Sequence, residues 1–144
     1  MGQYRRALDD LEPLAISAPN MEAQPYARLW YLWTLGLAGQ VLPDALKQEL
    51  NAEASGAWPR PAYGLFTGMS TPEQVLAAAE TMTGDERLLS LCEAYFYIGQ
   101  YYLRKQDRLK AREFLEKTVA TGMVMYAEYG NALLELQRLE QTPY

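Results

Sequence analysis

Reactive side chains are sparse in this chain, and their spacing argues against catalysis. Adjacent carboxylates occur as Asp9-Asp10 and Asp85-Glu86. Two carboxylates work together only when they converge, and neighbours on a helix diverge by about 100°. Asp85-Glu86 follows Gly84 and reads instead as a cap plus a first-turn acid favoured by the helix dipole. Cys92 is the lone thiol, on an apolar stretch with no adjacent His, Lys or Arg to lower its pKa, so a small buried hydrophobe is expected. The absence of histidine removes the Ser–His and Cys–His arrangements and imidazole metal sites. The expectation is a protein that is not an enzyme and has no cofactor and no metal.

Charge narrows the partners. The formal net charge of −5 disfavours nucleic acid, whose phosphates require clustered cations. One basic run, Arg104, Lys105, Arg108, Lys110 and Arg112, reads as a solvated helix–turn–helix corner. The proline-rich "WPRP" at 58–61 has the composition of a polyproline ligand, but Trp58 is better placed as a plug between helices. The longest apolar run, Leu29 to Gly39, covers eleven residues, whereas a membrane span needs about twenty. A single cysteine leaves no internal disulfide.

The elements that would position these residues are helical. Hairpin turns of the Asn-Gly or Asp-Gly kind are lacking, as is long polar–apolar alternation. Helices are expected over 3–18, with Pro13 kinking or splitting the segment and Pro19-Asn20 closing it, and over 24–39. Pro43 opens the next at its first position, and 55–70 reads as a connector around one short helix from Pro61 to just before Gly68. Thr71-Pro72-Glu73-Gln74 spells a hydroxyl cap, a first-turn proline and a capping box, for a helix to about Met82. Three more are expected at 85–105, 107–121 and 124–140, with Gly122 in the left-handed position after the second.

Periodicity organises these helices. Tyr95, Ile98, Gly99 and Tyr102 carry the spacing of the Trp, Leu, Gly and Tyr positions of a tetratricopeptide repeat, and Ala111 and Leu115 fall where its Ala and Phe belong. A shift of about 34 residues, one period, reaches Tyr129, Ala132, Leu133 and Leu136. Gly2, Tyr4, Ala7, Leu11 and Pro19 match the second helix of a repeat. The chain thus resembles a tetratricopeptide protein. The resemblance implies an all-α, tetratricopeptide-like α-solenoid of antiparallel helix pairs in one domain over 1–144. Its parts would be a half repeat at 1–20, diverged repeats at 21–84, the best repeat at 92–125 and a terminal helix at 126–141. In such an array stacked neighbours cover one another's apolar faces. The crowded aromatics of "EAYFYIGQYYL" are then packing residues first, and Gly99 lets the partner helix approach closely.

The order "YARLWYLW", Trp58 connector, "EAYFYIGQYYLRKQD" and "YAEYGNALLEL" is similar to the C-terminal half of Gram-negative envelope lipoproteins of the new-lipoprotein-I type. Departures from the repeat pattern are Gln106 at the turn glycine, Arg108 at the second-helix tyrosine, Thr118 at a small alanine and Met123 at the proline, which should loosen the C-terminal turn. In tetratricopeptide proteins the first helix of each pair lines a concave groove. Carried over, that nominates Glu93, Phe96, Gln100, Leu103 and Arg104, then Ala127, Leu134, Gln137 and Arg138 one repeat later. The alternative for Phe96 and Leu103 is packing on a neighbouring helix. The chaperone-tail branch of the family clamps a terminal carboxylate with Lys and Asn, where this chain has Phe96 and Gln100, so that clamp is not expected.

The expected function is a non-catalytic scaffold or adaptor that binds a protein or peptide partner along the groove. By resemblance, partners would include cell-wall hydrolases or proteases that degrade them, in the cell envelope or periplasm; without the resemblance, the compartment would be the cytoplasm. Two other readings compete: a regulatory helical segment of a larger enzyme or sensor, and a small-molecule binder built on Trp30 and Trp33, whose helical spacing favours core. The terminal half-repeats leave apolar faces to be covered by further sequence or by a homodimer.

Overall fold

A computed structural model describes residues 2–16 and 23–142 of the chain. They form eight α-helices: α1 (Gly2–Ile16), α2 (Gln24–Leu37), α3 (Asp44–Glu53), α4 (Tyr63–Thr67), α5 (Pro72–Glu80), α6 (Gly84–Arg104), α7 (Arg108–Ala120) and α8 (Ala127–Gln141). A single 3-10 turn, Arg60–Ala62, leads into α4. No strand occurs among the described residues, so the all-α expectation holds. No helix among them is long and apolar enough to cross a membrane. The chain divides into two compact units, Met1–Ser70 and Thr71–Tyr144.

Most helix ends follow local sequence chemistry. At α5, Thr71 Oγ1 accepts from the Gln74 amide at 3.2 Å, and Gln74 Oε1 accepts from the Thr71 amide at 2.9 Å, which completes the expected capping box. Gly68 and Gly122 adopt φ of +85° and +70° just past α4 and α7, as their positions predicted. Other boundaries moved. Pro43 caps α3 rather than opening it, and α8 starts at Ala127, leaving Val124 and Met125 outside the helix. Asp85 is a first-turn acid beside Glu86; Thr83 holds the cap position of α6 without a side-chain bond. Pro13 lies within α1 without splitting it, on the solvent side with Asp9, whose carbonyl loses its usual donor there. The closing signal at Pro19-Asn20, and the match of Pro19 to a repeat position, lie outside the described residues.

In the first unit α1 lies on α2, and α4 packs against both α2 and α3. Arg28, only 4% exposed, ties three helices together. Its Nε donates to the Ala15 carbonyl at 2.9 Å, near the end of α1, and its terminal nitrogens reach Glu53 at 2.6 Å and Glu49 at 2.5 Å on α3. The guanidinium thus satisfies a helix-end carbonyl and two carboxylates at once. Burial pulls its pKa down, but the bonds to Glu49 and Glu53 outweigh this and leave it raised. Tyr63 of α4 is fully buried, its hydroxyl donating to the Pro25 carbonyl at 3.4 Å; burial pushes its pKa up to about 12.

The second unit is built around α6, which packs against α5, α7 and α8, while α7 also packs on α8. α6 and α7 approach closely at Gly99: a Cβ there would stand 2.9 Å from the Leu115 side chain and 3.5 Å from its backbone nitrogen. Ile98, Ala111, Leu115 and Ala132 are fully buried around it. The rings of Tyr102 and Phe114 stack at 5.6 Å, with Tyr95 against Phe114 at 6.3 Å.

Two of the departures from the repeat pattern, Gln106 and Arg108, fall at the α6–α7 turn, which is tied by side-chain hydrogen bonds. Gln106 takes the left-handed conformation at φ +61°, Asp107 Oδ1 accepts from the Lys110 amide at 3.1 Å, and Arg108 reaches over to donate to the carbonyls of Leu139 and Thr142 at the end of α8. The turn bears the strain of a side chain in a region suited to glycine.

Two outcomes follow. Gly99→Ala should lower stability by up to about 2 kcal/mol, because the overpacking cost against Leu115 exceeds the roughly 1 kcal/mol gain in helix propensity. Gln106→Gly should raise it by about 1 kcal/mol. Urea midpoints of the two variants against the parent check both signs.

Candidate functional site

The side chains weighed for chemistry fall into two settings, exposed and buried. Asp9, Asp10, Asp85 and Glu86 are solvent-exposed. Cys92 is fully buried on α6, and burial pushes its pKa up despite a hydrogen bond with Thr121, so the thiol stays protonated and shielded. Among the described residues, no group of three His, Cys, Asp or Glu side chains is arranged to hold a metal. Trp30 and Trp33 meet edge to face at 5.4 Å, Trp33 buried and Trp30 half-buried. A hollow of about 350 Å³ in the same unit is lined by Tyr4, Arg5, the last residue of α2, Leu37, and the turn after it to Gln40, and neither tryptophan contributes to it. The proline-rich connector is not an extended ligand. Pro59 sits at φ −95°, ψ 11°, and Arg60–Ala62 turn tightly, far from polyproline geometry. Trp58 is half-buried.

The nominated groove residues split by helix. On α6, Glu93, Phe96 and Gln100 are buried, so three of the five present no surface in this conformation. The physical reason is that α6 is covered on most sides, with Phe96 edge-on to Tyr97 at 5.3 Å. Packing, the alternative weighed for Phe96, accounts for it. Leu103 is half-exposed and Arg104 exposed at the end of α6.

On α8 the same register gives the opposite result. Glu128, Ala132, Glu135 and Leu139 form the buried stripe, at helical spacing. Ala127, Leu134, Gln137 and Arg138 all lie exposed on the other side. Leu134 is 50% exposed, and Arg138 is held by Glu135 at 2.6 Å. Sequence reasoning missed Leu133, 40% exposed, and the apolar segment that precedes the helix, where Val124 is exposed and Met125 is 90% exposed. The signal was present: Leu133 is the period-equivalent of Gly99, the position that touches the following helix, and no helix follows α8 among the described residues.

Beneath this face lies a carboxylate in an unfavourable setting. Glu128, in the first turn of α8, is 5% exposed, and its Oε1 accepts from the Tyr97 hydroxyl at 3.3 Å. Burial raises its pKa, opposed by the hydrogen bonds from its own amide and from Tyr97.

No family model matches the sequence, and no solved structure matches the chain.

A group whose pKa is raised on folding favours the folded state most when protonated. That contribution is complete below the ordinary carboxylate pKa and is lost as pH rises through the raised value. Glu128→Gln should therefore raise the urea midpoint at pH 7, and the difference should close by about pH 4. Midpoints at the two pH values measure it.

Proposed function

We propose that the chain is a non-catalytic scaffold of the tetratricopeptide kind, which docks a protein or peptide partner on its uncovered helix face. The observation that carries this reading is the exposed side of α8, where Leu133 and Leu134 stand open, with Val124 and Met125 exposed in the segment before the helix. Large apolar side chains exposed on one element are a usual mark of an interaction site. Gln137 and Arg138 are exposed on the same helix.

Several observations support a repeat-like arrangement. α6 packs on both α7 and α8, as the first helix of a repeat does, and Gly99 and Leu115 meet in close contact. The period-related alanine positions, Ala111 and Ala132, are both fully buried. On this reading Leu133 occupies the place that Gly99 fills one period earlier, and a partner's helix or extended segment lies against it as α7 lies against Gly99. The site then comprises Leu134, Gln137 and Arg138 of the nominated set, with Leu133 added. Resemblance to the envelope lipoproteins makes a hydrolase or protease of the cell envelope the partner class to try first.

Leu133→Glu with Leu134→Glu changes exposed positions, so stability should move by less than about 0.5 kcal/mol. Photo-crosslinking in the native organism from a benzoylphenylalanine at position 134 should yield one discrete adduct, absent from the Leu133→Glu variant and from a probe at exposed Glu116 on α7. Adducts of equal yield from both positions would contradict the proposal.

A further inference from the structure

The second unit carries another surface that the scaffold reading does not use. Along the seam of α6 and α7, half-exposed aromatic rings run edge to edge: Phe114 stacks on Tyr102 at 5.6 Å, and Tyr102 meets Tyr101 at 5.2 Å, nearly perpendicular. Each of these rings has an ammonium group over it. Lys117 Nζ lies 4.7 Å from the Phe114 centroid, Lys110 Nζ 5.1 Å from that of Tyr102, and Lys105 Nζ 5.6 Å from that of Tyr101. Lys110, Phe114 and Lys117 recur at helical spacing on one face of α7.

Charge is concentrated here. Residues 104–117 hold six Lys and Arg against three Asp and Glu, in a chain whose formal total is −5. Part of that charge is neutralised locally, since Lys117 pairs with Glu113 at 2.7 Å and Arg112 lies 4.0 Å from Glu140. Lys105 and Lys110 make no ion pair among the described residues. Their ammonium groups are exposed and held in place by the ring faces rather than left to wander, which lowers the ordering cost of binding an anion.

We propose that this seam binds a short acidic peptide segment, with carboxylates at Lys105 and Lys110 and an apolar side chain seated on the ring edges between them. The complementarity is one of sign and of type: two positioned cations flank an aromatic strip. A nucleic acid suits it less, because Glu113 and Glu116 stand exposed on the same helix and the net charge of the chain repels a polyphosphate. The seam stands independently of the α8 face.

Fluorescence anisotropy with a labelled Glu-Glu-Trp-Glu-Glu peptide tests it, with the Gln-Gln-Trp-Gln-Gln peptide and a ten-nucleotide thymidine oligomer as comparators. Saturable binding of the acidic peptide at low salt is expected, weakening as salt rises. Lys105→Gln with Lys110→Gln, both at exposed positions, should reduce affinity at least tenfold with an unchanged circular dichroism spectrum. Leu133→Glu with Leu134→Glu should leave affinity unchanged, which separates this surface from the α8 face. Amide shift changes on titration should cluster within residues 101–117, a readout that needs no variant. Absence of saturable binding, equal affinity in the lysine variant, shift changes elsewhere, or tighter binding of the oligonucleotide would each overturn the proposal.

Discussion

The second unit depends on one steric fact: position 99 has no side chain, so α6 and α7 approach until Leu115 lies 2.9 Å from where a Cβ would stand. That distance fixes what else can form. It brings Tyr95 and Tyr102 of α6 within ring contact of Phe114, and it closes Ala111 and Ile98 away from water. The helical penalty of a glycine in mid-helix, about 1 kcal/mol, is offset by this packing. With the two helices held close, α8 rests on both, and Arg108 of α7 can reach the last carbonyls of α8.

Buried charge is handled in two ways. Arg28 in the first unit loses water but gains a carbonyl and two carboxylates, so its charged form is retained. Glu128 in the second unit loses water and accepts from Tyr97 at the long distance of 3.3 Å, and its charge is disfavoured. The first arrangement pins helix to helix. The second leaves a point of weakness in the seating of α8, beneath the face to which we assign the partner.

Much of the fold was legible because local chemistry writes it locally. The Thr71–Gln74 box, the glycines at 68 and 122 and the inert Cys92 followed from short spacings and hold in three dimensions. The Arg28 cluster did not, because its partners lie 13 to 25 residues away and only the packed helices reveal the geometry. Gln106 and Arg108 looked like defects of a repeat turn; tertiary context gave one a strained but kept conformation and the other a capping role. For the candidate site, periodicity nominated exposed residues on α8 and mostly buried ones on α6. Register says which residues share a face, whereas exposure depends on what covers that face. The short helix expected from Pro61 is present, but its first residues, Arg60–Ala62, wind as a 3-10 turn before α4.

The account turns on a series of helices that seals Leu115 inside and leaves Leu133 and Leu134 open. The most direct measurement is solvent paramagnetic relaxation of the leucine methyls in the full chain, using a soluble gadolinium probe. The account predicts strong broadening at Leu133 and Leu134 and none at Leu115. Protection of Leu133 and Leu134 equal to that of Leu115 would contradict it.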